Sequence, residues 1–107
     1  MVARKAIIRS AFDPSGQRIL ITGAAGGIGE TTARVCASLG AALLLVDQRP
    51  TERLAQQLRE GGSGAQAFSC DVANRSEVEA LAASTGPVDA LVVAPKLDER
   101  WLRPHVR

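Results

Sequence analysis

The sequence predicts an α/β fold built on a parallel sheet with helices packed on both faces. Three observations carry that prediction. Four short apolar runs alternate with three stretches of helical periodicity. The best of those runs are continuous rather than alternating, as in strands buried on both sides. The connections between them are short and marked by Gly, Pro and Asn. Such alternation implies right-handed crossovers between parallel neighbours.

The first strand is expected at Arg18-Ile19-Leu20-Ile21, an apolar run that ends at Thr22-Gly23. A glycine-rich turn follows, and from Gly27 to Leu39 the residues Ile28, Thr32, Val35, Cys36 and Leu39 recur at helical spacing, with Gly40 as the stop. Ala42-Leu43-Leu44-Leu45-Val46 is a second strand that ends at Asp47. Pro50 and Thr51 open a helix with Leu54, Ala55 and Leu58 on one face, and Gly61-Gly62-Ser63-Gly64 breaks it. Residues 65–69 suit a third, weaker strand. Asn74-Arg75-Ser76-Glu77 has the N-cap to N3 spacing of a capping box and starts a helix running through Val78, Leu81 and Ala82 to about Ser84, before Gly86-Pro87. Val88 to Ala94 contains the run Ala90-Leu91-Val92-Val93, expected to be a fourth buried strand, after which Pro95 interrupts. The order is βαβαβαβ.

Composition narrows the function. In 107 residues, 13 Lys plus Arg stand against 11 Asp plus Glu, a net charge of +2, and 46% of residues are hydrophobic. That is one small globular domain. The positive charge sits at the two ends: Arg4, Lys5 and Arg9 lie in a basic segment over residues 1–11, and residues 96–107 are basic and without periodicity. The folded body between them, residues 12–95, has no basic stripe with interleaved aromatics, which argues against nucleic-acid binding. No apolar run approaches a membrane span or a signal-peptide core, so the expected setting is cytoplasmic, without membrane contact. Cys36 and Cys70 form no metal-ligand spacing, and the single histidine, His105, is the third residue from the end. No metal site is expected. Both cysteines are read as small buried hydrophobes.

The chemistry lies in Thr22-Gly23-Ala24-Ala25-Gly26-Gly27-Ile28-Gly29. Gly23 permits a sharp exit from the strand, Gly27 removes a side chain where a pyrophosphate would approach, and Gly29 lets the helix pack closely. A helix N-terminus offers unpaired N–H groups and partial positive charge to a phosphate. Asp47 follows 18 residues after Gly29, at the end of the next strand, where a carboxylate accepts hydrogen bonds from both ribose hydroxyls and repels a 2′-phosphate. NAD is therefore favoured over NADP. Arg49 weighs the other way, as a cation able to fold onto a phosphate. The absence of a GxxxxGK[ST] lysine excludes a P-loop.

The stretch from Thr22 to Gly29 also reads TGxxxGxG, and together with Asp47 and Cys70-Asp71-Val72 it resembles the short-chain dehydrogenase/reductase family. The resemblance covers residues 12–93, including a lead-in from Phe12 to Gln17. It implies a Rossmann-type three-layer αβα architecture with strand order 3-2-1-4 and a nicotinamide dinucleotide as cofactor. By resemblance, the cofactor contacts fall on Thr22, Gly23, Gly27, Ile28 and Gly29, on Asp47 and Gln48, on Asp71 and Val72 against the adenine, and on Ala94. Gly23, Gly26 and Gly29 equally satisfy TGxxGxxG, the variant of the extended branch, so the glycines alone do not separate the branches.

The sequence also departs from the family pattern. Where an Asn-Asn-Ala-Gly turn is usual, it reads Val93-Ala94-Pro95-Lys96. The catalytic Ser and the Tyr-x-x-x-Lys pair are missing, and there is no tyrosine anywhere. Hydride transfer to a carbonyl needs a tuned proton donor, the role of that Tyr and Lys. No catalytic residue is assigned, and turnover by this chain alone is not expected. Three readings stay open from sequence: the cofactor-binding portion of an oxidoreductase, truncated or frame-shifted; a dinucleotide-binding module without chemistry; and a non-functional remnant. The strand order would leave the fourth strand at an open edge, from which self-association is expected.

Overall fold

Four parallel strands and three helices alternate along residues 14–94, the part of the chain that the structure, a computed structural model, describes. The expectations for the two basic ends, the start of the lead-in at Phe12-Asp13, Pro95 and His105 lie outside the described residues. The strands are β1 (Arg18–Thr22), β2 (Ala42–Asp47), β3 (Ala65–Ser69) and β4 (Ala90–Val93). The helices are α1 (Gly27–Ser38), α2 (Glu52–Glu60) and α3 (Arg75–Thr85). The sheet order is β3-β2-β1-β4, every pair parallel, as the family resemblance implied.

The two central strands carry the most apolar sequences because both their faces are covered. On one face Ile19, Ile21, Leu43, Leu45 and Ala65 pack with Ala33 of α1 and with Leu54, Ala55 and Leu58 of α2. On the other, Leu20, Leu44, Val46 and Cys70 form a second core, against which Phe68 and Leu81 of α3 pack. Helices thus lie on both faces, giving three layers. Of the two cysteines, Cys70 is buried and Cys36 only partly so; both are free thiols.

Three expectations are corrected by the packing. The apolar spacing in α1 locates the helix but not its buried face: Gly29 and Ala33 are buried, whereas Ile28, Val35 and Leu39 are exposed. The sheet accepts the small-residue side because close approach of a helix needs small side chains there. Nor is β4 a fully buried strand. Ala90 and Val92 pack on the first core, while Leu91 and Val93 are 60% and 67% exposed on the opposite face. The capping box forms only in half. Asn74 accepts the Glu77 N–H at 3.1 Å, but the Glu77 carboxylate accepts the Asp71 N–H, also at 3.1 Å, instead of returning to Asn74.

Candidate functional site

Because all four strands run the same way, their carboxyl ends meet at one edge of the sheet, and the cofactor contacts expected from the sequence lie along it. Hydrogen bonds tie these ends together one or two residues beyond the strands. Ala24 N–H donates to the Val46 carbonyl, Cys70 N–H to that of Asp47 and Ala94 N–H to that of Thr22, each at 3.2 Å. Thr22 and Gly23 therefore sit at the centre. Asp47 ends β2 beside them with Gln48 just after it, Asp71 and Val72 follow β3 further out, and Ala94 is on the other flank. The strand order interposes β2 between the glycine turn and Asp71-Val72, so these two belong to the outer end of the same edge. Gln48 and Val72 are exposed and Ala94 is buried.

The glycines divide by what a side chain would meet. Gly23 has φ +70°, the left-handed region, and a Cβ there would run into the Ala94 carbonyl. At Gly29 a Cβ would strike the Gly23 carbonyl and stand 2.9 Å from the Ala24 Cα. These two are fixed by packing. Gly27 differs, since a Cβ there meets nothing within 4 Å. That space lies at the first turn of α1, where no side chain caps the helix and the leading N–H groups at Gly27, Ile28 and Gly29 have no intrahelical acceptor. An anionic group of pyrophosphate chemistry fits this cradle: open room, orphan donors and the positive end of a 12-residue helix.

Asp47 is held as well as placed. Its Oδ2 accepts the Ala25 N–H at 3.0 Å, which ties β2 to the glycine turn. Its Oδ1 accepts the Arg49 N–H at 2.9 Å and the Arg49 Nε–H at 3.4 Å. The side chain of Asp47 is only 10% exposed, and that of Arg49 is 52% exposed. Partial burial pushes the Asp47 carboxyl upward, but the N–H groups of Arg49 and Ala25 and the Arg49 guanidinium outweigh it. The net effect is a carboxyl below its ordinary range, ionised at neutral pH.

Sequence reasoning missed Ala25, whose part is played by the backbone and so leaves no residue-type signal. It named Arg49 only as a cation that could reach a phosphate, whereas the structure pairs it with Asp47. A cleft of about 330 Å³ opens between the glycine turn and the first turn of α2, lined among others by Ala24, Ala25, Arg34, Thr51 and Arg53. No cluster of metal-binding side chains occurs among the described residues, and none of their helices is long and apolar enough to cross a membrane.

Comparison with known proteins points the same way. The family model described as short chain dehydrogenase matches residues 17–95. The chain is 40% identical over 83 residues to 2,3-dihydro-2,3-dihydroxybenzoate dehydrogenase of Bacillus subtilis, a match covering 72% of this chain and 32% of that one. Among solved structures it is similar to a short chain dehydrogenase/reductase from Burkholderia phymatum in complex with NAD. The TM-score is 0.70 at 35% identity, covering 75% of this chain and 31% of the other. It is also similar to a metagenomic short-chain oxidoreductase in complex with NADP, with a TM-score of 0.65 at 28% identity, covering 74% and 38%. The chain spans about a third of the length of the curated relatives it matches.

Proposed function

Since the chain belongs to the short-chain dehydrogenase family, matched over residues 17–95, we propose that its folded body binds the adenosine diphosphate half of a nicotinamide dinucleotide. The observation that carries this reading is the open space at Gly27 on an uncapped helix N-terminus, with an ionised carboxylate at the end of the adjoining strand. Thr22, Gly23, Gly27, Ile28 and Gly29 surround the pyrophosphate in this reading. Asp47 and Gln48 take the ribose, Asp71 and Val72 the adenine, and Ala94 borders the far side. NAD is the proposed cofactor in preference to NADP. The Asp47 carboxylate suits a free ribose diol and repels a second phosphate, and no lysine or arginine occurs between Thr22 and Gly29.

The bound group would supply hydride chemistry, and the activity of which this segment is part is transfer of hydride between a nicotinamide and an alcohol or carbonyl. This chain's own contribution is binding. It contains no tyrosine, so the proton-donor role of the family's Tyr-x-x-x-Lys pair is not filled from these 107 residues. A cytoplasmic setting belongs to the same proposal, because Cys36 and Cys70 are free thiols of the kind that compartment keeps reduced.

Thermal unfolding of the chain with and without millimolar NAD or NADP tests the proposal. A ligand at ~100 times its dissociation constant adds about 2.7 kcal/mol, which raises the melting temperature of a domain this small by ~10–20 °C. A larger rise with NAD than with NADP is expected. A cooperative melt indifferent to both nucleotides refutes dinucleotide binding.

A further inference from the structure

We propose that Arg49 is an internal competitor for the carboxylate of Asp47: it latches Oδ1 in the nucleotide-free chain and has to let go before a ribose diol can be held there. The inference rests on the dinucleotide reading above and concerns how that site is regulated from within. A carboxylate has acceptor capacity for a handful of donors, and three are already in place here. The Ala25 N–H occupies Oδ2, and the N–H and Nε–H of Arg49 occupy Oδ1. With its side chain 10% exposed, Asp47 offers little open carboxylate to a ligand.

The three donors are not equally replaceable. Two are backbone groups fixed by the glycine turn and the strand-end turn. The third belongs to a side chain that is 52% exposed and is the longest of the three contacts, at 3.4 Å. Arg49 is therefore the donor an incoming diol displaces. Its guanidinium also lies across the approach, because Nη2 stands 3.5 Å from where a Cβ on Gly26 would be, over the turn that leads to the open space at Gly27. A nucleotide with a free diol has to break this contact. A nucleotide carrying a 2′-phosphate meets the same guanidinium as an attractive partner, set against the repulsion of Asp47. Arg49 thus acts as a specificity-determining residue with opposite effects on the two cofactors.

The test is isothermal titration of NAD and NADP into the wild-type chain and into the Arg49→Ala and Arg49→Gln variants, each also melted without nucleotide. An exposed ion pair of this kind couples weakly, so both variants are expected to bind NAD about two- to fivefold more tightly, while NADP binding weakens. A merely structural role for Arg49 would lower the melting temperature and loosen both ligands together. Unchanged or weaker NAD binding in both variants, with the wild type binding normally, overturns the latch and leaves the proposed function standing. No binding by any of the three overturns both.

Discussion

One methyl group added at Gly29 and one added at Gly27 should shift the stability of this chain in opposite directions, although the two positions are two residues apart in the same helical turn. In a helix interior, alanine is favoured over glycine by ~1 kcal/mol. At Gly29 that gain is set against a Cβ driven into backbone: the Gly23 carbonyl, with the Gly23 carbonyl carbon 2.7 Å away and the Ala24 Cα 2.9 Å away. None of these is the movable end of a side chain, and the turn is already pinned by the Ala25 to Asp47 and Ala24 to Val46 hydrogen bonds. Overpacking of this sort costs ~1–3 kcal/mol, and rigid backbone contacts put it at the upper end. Gly29→Ala is thus expected to lose about 2 kcal/mol net. At 4–8 °C per kcal/mol for a small domain, its melting temperature falls by ~8–16 °C. At Gly27 the added Cβ meets nothing, and restriction of the unfolded chain stabilises by ~0.4–1 kcal/mol, so Gly27→Ala should melt a few degrees higher. It should also lose most of the rise that NAD produces, because the methyl group stands where the pyrophosphate is placed. Circular dichroism melts with and without NAD read both effects. A Gly29→Ala chain as stable as wild type, or a Gly27→Ala chain that is destabilised, would refute the packing argument.

Two further outcomes are expected. The Asp47 carboxyl is held below its unfolded value of about 3.9, so its contribution to stability is complete above that pH and disappears as the pH falls through the folded value. Melting temperatures measured from pH 6 down to pH 3 should drop below about pH 4, and Asp47→Asn should flatten that drop while being less stable at pH 6; an identical acid limb in the variant counts against the assignment. The β4 edge, with Leu91 and Val93 exposed and no strand beyond it among the described residues, is expected to drive self-association at micromolar concentration. Sedimentation velocity should find dimers or larger species that revert to monomer in Leu91→Lys/Val93→Lys, and a monodisperse wild-type monomer would count against this.

What was legible in the sequence was whatever one residue's neighbours along the chain decide. The element order, the boundaries of β3, the turn at Gly23 and the N-cap at Asn74 follow from periodicity, side-chain size and local hydrogen bonding. The family resemblance added the strand order. The placement of Asp47 at the glycine turn was readable too, because a parallel sheet with short connections brings the strand ends to one edge.

The tertiary structure decided what depends on neighbours far apart in sequence. Ile28, Val35 and Leu39 make as good an apolar stripe as Gly29, Ala33 and Cys36. Only the approach distance between α1 and the sheet selects the small-residue side, leaving the larger residues outside. In the same way, β4 reads as a buried strand, yet Leu91 and Val93 are exposed because burial requires a covering layer and none of the described helices packs over them. The state of Asp47 was settled in space as well. Its partners are the backbone N–H groups of Ala25, 22 residues earlier in the chain, and of Arg49, two residues later, together with the Arg49 side chain that turns back over the glycines. The sequence by itself determined that a carboxylate would stand beside the helix N-terminus. Only the fold determined that its oxygens would already be engaged, since hydrogen-bond acceptors are taken by whichever donors packing brings within reach.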